Sequence, residues 1–341
     1  MSLAIKFSSL HHIDHSKNIS QKIDITDQGK ALEQYINRLI EEISTSKNRR
    51  MFEFQRDTTE VRVAIQGFLE GKYEKNAETN AKKLLHTEQK TQEKIAHLKN
   101  EIQKGSLFQA AIDDDGISKV IISKADHSEY LDEKDFLLHR GLPWKKRIFK
   151  AVLITFDSSK KVKDIFVFDT SSPMAKYWWE EYLELKEKHT DSHNTRTALD
   201  VLDKKVFSKF KKKYPADHTI IRNSAVGYFR NKEEFEIQDF IDNILENYVP
   251  VDPDLKKEEL IAKTKKLPEN HNFDTRFKIK KDEIKKRIVN KIALTDSIDL
   301  ILKDHVEHLL ETISSETDDE GNKFIKIRTD TGYDRFKKND N

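Results

Sequence analysis

Apolar and polar residues alternate at the start of the chain, and this period of two predicts short strands at Leu3–Phe7 and Ile19–Ile25. Past Asp27-Gln28-Gly29 the period lengthens. Leu32, Tyr35, Ile36, Leu39, Ile40 and Ile43 fall on one stripe, which predicts an amphipathic helix. A second helix is predicted from about Asn76 to Gln103, half-exposed because its apolar positions are thin and His86–Lys94 is polar. At Gly105 the period returns to two. Ser106–Ile112 and Ile117–Lys124 flank Asp113-Asp114-Asp115-Gly116, a hairpin around an Asp-Gly turn. Ile148–Phe156 and Val162–Phe168 flank Asp157–Lys161 in the same way. Four such runs joined by short turns predict an antiparallel meander. Ser172-Pro173 then opens a predicted helix through Ala175, Trp178, Trp179, Tyr182, Leu183 and Leu185, since proline suits the first helical position. Neighbouring residues on a helix diverge by about 100°. Trp178 and Trp179 are therefore expected to pack on different interfaces.

The polar stretch Glu187–Arg196 marks a domain boundary. Beyond it the pattern is helical over Thr197–Tyr214, Lys232–Tyr248 and Leu255–Lys265. Period two returns in Thr275–Lys280, Ile288–Leu294, Ile298–Leu302 and Lys323–Arg328, and Lys337–Asn341 reads as a frayed tail. The fold class expected is α+β: a central antiparallel sheet with long helices, a helical middle segment and a smaller C-terminal β-rich part. The domains expected are 1–190, 191–268 and 269–341.

Composition narrows the function classes. The 341 residues suit two or three domains of about 150 each. The chain is 36% charged and contains 31 aromatic residues, too many for disorder throughout. It has no cysteine, which excludes thiol nucleophiles, disulfides and thiolate metal sites. The apolar runs are strand length, too short for a membrane span, and MSLAIKF does not read as a signal peptide. A soluble, intracellular protein is expected.

Catalytic motifs are lacking. With 9 glycines the chain offers no phosphate-binding loop, dinucleotide fingerprint, nucleophile elbow or H-E-x-x-H motif. His11, His12 and His15, with Asp14, form an H-H-x-x-H cluster that reads better as a polar turn than as a metal site. His305 and His308 flank Glu307 without a known zinc spacing. Asp113–Gly116 and Asp318–Gly321 lack the alternating ligands of a calcium loop, so both read as turns. A metal-dependent nuclease would need Asp157 or Asp169 near Glu184-Leu185-Lys186, with Glu184 and Lys186 sharing a face. That segment carries a helical pattern, in which residues two apart diverge by about 200°. No cofactor or metal is expected.

Charge is unevenly spread, although the total is only +2. Arg140–Lys163 holds eight basic residues and one acid. Asp254–Lys291 is at +6 and residues 292–341 are at −5. Blocks of this kind let one face of a near-neutral protein track a phosphate backbone. The residues expected to touch phosphates are Lys145, Lys146, Arg147, Lys150, Lys160 and Lys161 in the first block. Lys278, Lys280, Lys281, Lys285, Lys286 and Arg287 are the candidates in the second. Nothing beside them reads as a base-reading helix.

Several segments together resemble a known family. They are KGSLFQAAID (Lys104–Asp113), LLHRGLPWKKRIFKAVLI (Leu137–Ile154) and AKYWWEEYLEL (Ala175–Leu185). The closing set is FDTRFKIKKDEI (Phe273–Ile284), SIDLILKD (Ser297–Asp304) and DDEGNKFIKI (Asp318–Ile327). In this order, between His11-His12-Ile13 and Gly332-Tyr333-Asp334-Arg335-Phe336, the chain resembles a divergent branch of the bacterial nucleoid-associated proteins of the NdpA type. The resemblance implies a cytoplasmic, nucleoid-located, non-catalytic DNA-binding protein, acting as a homodimer on duplex DNA through backbone contacts. The alternatives are a DNA-binding or adaptor component of antiphage or antiplasmid defence, with a protein partner, and a metal-dependent nuclease.

Overall fold

The computed structural model describes residues 3–25, 29–46, 49–98, 101–131, 133–142, 150–171, 173–285 and 287–337. The chain divides into two compact units, the first ending at His189 and the second beginning at Thr190. Its class is α+β.

The first unit is built on an eight-stranded antiparallel sheet. β1 (Leu3–Asp14) and β2 (Ile19–Ile23) precede α1 (Gly29–Thr45), and β3 (Arg50–Phe54) precedes α2 (Glu60–Leu69) and α3 (Tyr73–Ile95). Next come the hairpin β4 (Gly105–Asp114) and β5 (Ile117–Asp126), a small hairpin β6 (Ser128–Leu131) and β7 (Leu138–Gly141), and the hairpin β8 (Lys150–Phe156) and β9 (Val162–Asp169). β10 (Leu185–Glu187) completes the sheet, in the order β10-β3-β9-β8-β5-β4-β1-β2. The meander forms as expected, in the order β9-β8-β5-β4. Asp115 and Gly116 turn its first hairpin with φ of 50° and 85°, the paired positive values that match strand twist.

Each sheet face has its own apolar cover. The stripe Tyr35, Ile36, Leu39, Ile40 and Ile43 of α1 packs over Leu10, Phe108, Ile121 and Leu153. On the opposite face, Val61, Ile65 and Phe68 of α2 and Ala77, Ala81 and Leu84 of α3 pack over Ile13, Leu107, Val120 and Val152. Among the described residues no helix is long and apolar enough to cross a membrane.

The aromatic segment departs from its pattern. Instead of an α-helix opening at Pro173, a six-residue π-helix spans Tyr177–Tyr182. Asp169 ties down the approach, accepting the Ser171 N–H at 2.8 Å and the Ala175 N–H at 2.7 Å. Glu184 then takes φ of 53° and turns the chain into β10, which pairs with β3. Its backbone carbonyl accepts the Gln55 N–H at 2.9 Å, and its carboxylate meets Lys83 and the Val61 N–H that opens α2. Lys186 consequently stands on a strand and not on a helix. Trp178 and Trp179 join the same core: Trp178 is fully buried, and Trp179 lies 5.2 Å from the ring of Phe52 on β3. The two indoles have different surroundings: Trp178 is closed off against Tyr182, while Trp179 remains half-buried beside Phe52.

The second unit surrounds α6 (Pro215–Asn231), which follows α4 (Asp191–Val201), a π-helical stretch at Leu202–Phe207 and α5 (Ser208–Phe210). Pro215 occupies its first turn. The expected helix at Lys232–Tyr248 is broken into β11 (Glu234–Glu236), α7 (Ile237–Ile241) and a π turn at Asp242–Glu246. β11 pairs with β12 (Arg276–Lys278), which lies past α8 (Lys257–His271). The stacked rings of Phe235 and Phe277, 4.7 Å apart, seal that pairing, so residues 191–268 and 269–341 belong to one unit. Two further hairpins follow, β13 (Asn290–Thr295) with β14 (Ile298–Leu302), and β15 (Ile313–Thr317) with β16 (Lys323–Ile327).

Candidate nucleic-acid interface

The β8–β9 hairpin places its lysines at opposite ends. At the turn, Asp157 accepts the backbone N–H groups of Ser159 and Lys161, at 2.8 and 2.9 Å, while Lys160 adopts φ of 57°. This locks a tight loop from which the Lys160 and Lys161 side chains emerge. Across from it, α2 presents Arg62, which pairs with Asp57 at 3.1 Å and stands 5.4 Å over the ring of Phe54. Lys160, Lys161, Arg62 and Gln66 rim a cleft of about 360 Å³ walled by Phe54, Ile65, Phe156 and Val162. Lys160 also reaches the Leu69 carbonyl at 3.3 Å. The cleft can hold an anionic oxygen group between guanidinium and ammonium donors, which is the chemistry of a phosphate contact.

The other end of the hairpin is closed. Lys150 is buried, 3.5 Å from Asp169 and 3.4 Å from the Ser171 hydroxyl. Opposite it in the register stands Lys124, fully buried, with Glu88 of α3 at 2.7 Å and Asp126 at 3.2 Å. Lys124 also donates to the Gln103 carbonyl at 2.7 Å. Burial alone would drive Lys124 toward the neutral amine. The pull of Glu88, Tyr177 and Asp126 outweighs it and holds the side chain charged. Gly105 makes room for this arrangement, since a Cβ there would stand 2.5 Å from the Ala125 carbonyl oxygen and 3.1 Å from Lys124 Cε. Assigning Lys150 to phosphate contact is therefore corrected: its ammonium is spent inside the unit, where a polyanion does not reach.

In the second charged block, Lys278 and Lys280 are exposed. Lys285 is exposed and paired with Asp282 at 2.6 Å. Lys281 is withdrawn, because its ammonium donates to the carbonyls of Phe229, Arg230 and Lys232 at the end of α6. Burial lowers its pKa. Arg287 pairs with Asp200 at 2.7 Å and caps the Glu283 carbonyl. Lys281 and Arg287 are thus half-buried and spend part of their donors inside the second unit. Lys145, Lys146, Arg147 and Lys286 lie outside the described residues.

The acid and histidine motifs disperse. Successive strand residues point to opposite faces. His11 accordingly faces α3, where burial and then Lys22 lower its pKa, while His12 stacks on His127 at 5.2 Å. Asp14 serves the β1–β2 turn: burial pushes its carboxyl up, but hydrogen bonds from Ser16, Lys104 and the Lys17 amide pull it below the usual carboxylate range. Asp157 and Asp169 sit at opposite ends of the hairpin, and Glu184 is engaged by Lys83. Among the described residues, no group of three or more His, Cys, Asp or Glu side chains is arranged to hold a metal.

Arg62 was not read from the sequence as part of any site, because it stands 98 residues before Lys160 and only the fold joins them. No family model and no curated protein matches this chain.

Proposed function

We propose that this protein binds nucleic acid through the phosphate backbone, as a nucleoid-located DNA-binding protein without a reaction of its own. The observation that carries this reading is the cleft where Arg62, Lys160 and Lys161 converge at one rim. Exposed Lys278 and Lys280, and the sequence block of Lys145, Lys146 and Arg147, supply further cations of the same use. Cations used in this way position a protein on a duplex without reading bases.

The test is a fluorescence anisotropy titration of duplex and single-stranded DNA at two salt concentrations. Binding should fall steeply with salt. Replacing Lys160 and Lys161 by Ala should weaken it evenly across sequences and make the log–log slope shallower by about 0.9 for each phosphate no longer neutralised. No binding at low salt, or binding whose slope is untouched by the double variant, removes the cleft from the account.

A further inference from the structure

The cleft beside Arg62, Lys160 and Lys161 differs from a basic surface in having depth and an apolar lining. At about 360 Å³ it falls at the small end of the range of small-molecule sites. Its cations stand at the rim, and Phe54, Ile65, Phe156 and Val162 form its walls. A continuous duplex backbone passing such a cleft offers the rim one charge per phosphate. It leaves the apolar interior unfilled, because its bases are stacked and each sugar is joined on both sides. A strand end differs in both respects. A terminal phosphomonoester carries a charge of about −1.5 to −2 and three acceptor oxygens. The nucleotide bearing it is tethered on one side only, so it can enter a recess.

The cations are left available for such a dianion. Asp157, in the same turn, engages its Oδ1 with the Ser159 and Lys161 amides. Glu70, which acts on Lys160, pairs with Lys72 at 2.7 Å. The Asp57 side chain on Arg62 is 86% exposed, and an exposed pair of this kind yields to a competing anion at little cost. Lys160 donates to the Leu69 carbonyl with one of its three N–H groups, leaving two. Gln66 adds an amide at the rim. We propose, resting on the phosphate-binding reading of this cleft, that it selects a phosphomonoester: the phosphorylated end of a nucleic-acid strand, with the terminal sugar against Phe54 and Phe156.

Fluorescence anisotropy of an internally labelled duplex at about 0.15 M salt tests this. The duplex is prepared in three forms, with 5′-phosphates, with 3′-phosphates, or with a hydroxyl at every end. One phosphorylated form should bind about tenfold more tightly than the hydroxyl form, as an added charge a few ångströms from the cations predicts. Lys160→Ala with Lys161→Ala changes only exposed positions and should erase the difference, and Arg62→Gln should reduce it. Equal affinity of all three forms, with the steep salt dependence intact, would overturn the selection of ends and leave backbone binding standing. A preference that survives the double variant would overturn it as well, by placing the end elsewhere. Displacement of the duplex by a nucleoside 5′-monophosphate, with no gain from a phosphorylated end, would assign the cleft to a free nucleotide instead. Failure of every form to bind would remove this selection together with the phosphate-binding reading.

Discussion

Lys150 and Lys160 lie at the two ends of one β-hairpin, and their surroundings share nothing but the charge. Around Lys150 the chain has assembled buried Lys124, Glu88 and Asp169, with the partly exposed Asp126 at their edge. Around Lys160 it has placed Lys161, Arg62 and an open cleft. A window of positive charge in a sequence is thus not a surface. A strand carries its charges to both ends, and what covers each end decides whether a lysine holds the fold or faces a ligand.

The strongest way to break this contrast is to remove the anion at the closed end. Glu88→Ala leaves the Lys124 ammonium buried against the partly exposed Asp126 alone, and should cost about 3–5 kcal/mol in urea unfolding. Replacing both Glu88 and Lys124 by Met should recover most of that stability, because buried ion pairs are often no more stabilising than apolar side chains of similar volume. If Glu88→Ala were neutral, the closed end would be wetter than described.

His218 offers a second buried titratable group, this time in the other unit. Burial, followed by Lys211 and Arg222, pushes its imidazole down to about 4 from 6.5. The folded protein therefore holds it neutral while the unfolded chain protonates near pH 6.5. Its contribution to stability is complete above that pH and is lost as pH falls toward 4, by about 3 kcal/mol at the limit. His218→Gln should flatten the urea midpoint over this window, and an unchanged pH profile would show that the ring already reaches solvent.

Gly105→Ala should cost about 1–3 kcal/mol, since the added methyl meets backbone at Ala125 that cannot swing aside. Lys160→Ala with Lys161→Ala is expected at the bottom of this scale. It should leave the thermal unfolding midpoint nearly in place, because both residues are exposed and the Lys160 contact with the Leu69 carbonyl is a surface one.

Much of the fold was legible in the sequence where one face is buried and the other is wet. The α1 stripe and the β4–β5 hairpin with its Asp-Gly turn show this. Elements buried on several sides were not. α6 buries Asp217, His218, Arg222 and Asn223 alongside Ile221 and Val226, so its apolar stripe is blurred and Pro215 was the one usable signal. β3 is only five residues long, and β10 only three, hidden behind an apparent helix. The candidate site was half legible. The charge block contained Lys160 and Lys161, but alternation along β8 could not say that α3 and the π-helix close over Lys150.

We propose that phosphate binding belongs to the open end of the hairpin and not to the closed one. Measuring the salt dependence of duplex DNA binding for two variants side by side tests it most directly. Arg62→Ala with Lys160→Ala and Lys161→Ala should lower the log–log slope by up to about 2.7, at about 0.9 for each phosphate left without its cation. Lys150→Met should leave the slope where it is. A slope that falls for Lys150→Met and holds for the triple variant would contradict the claim.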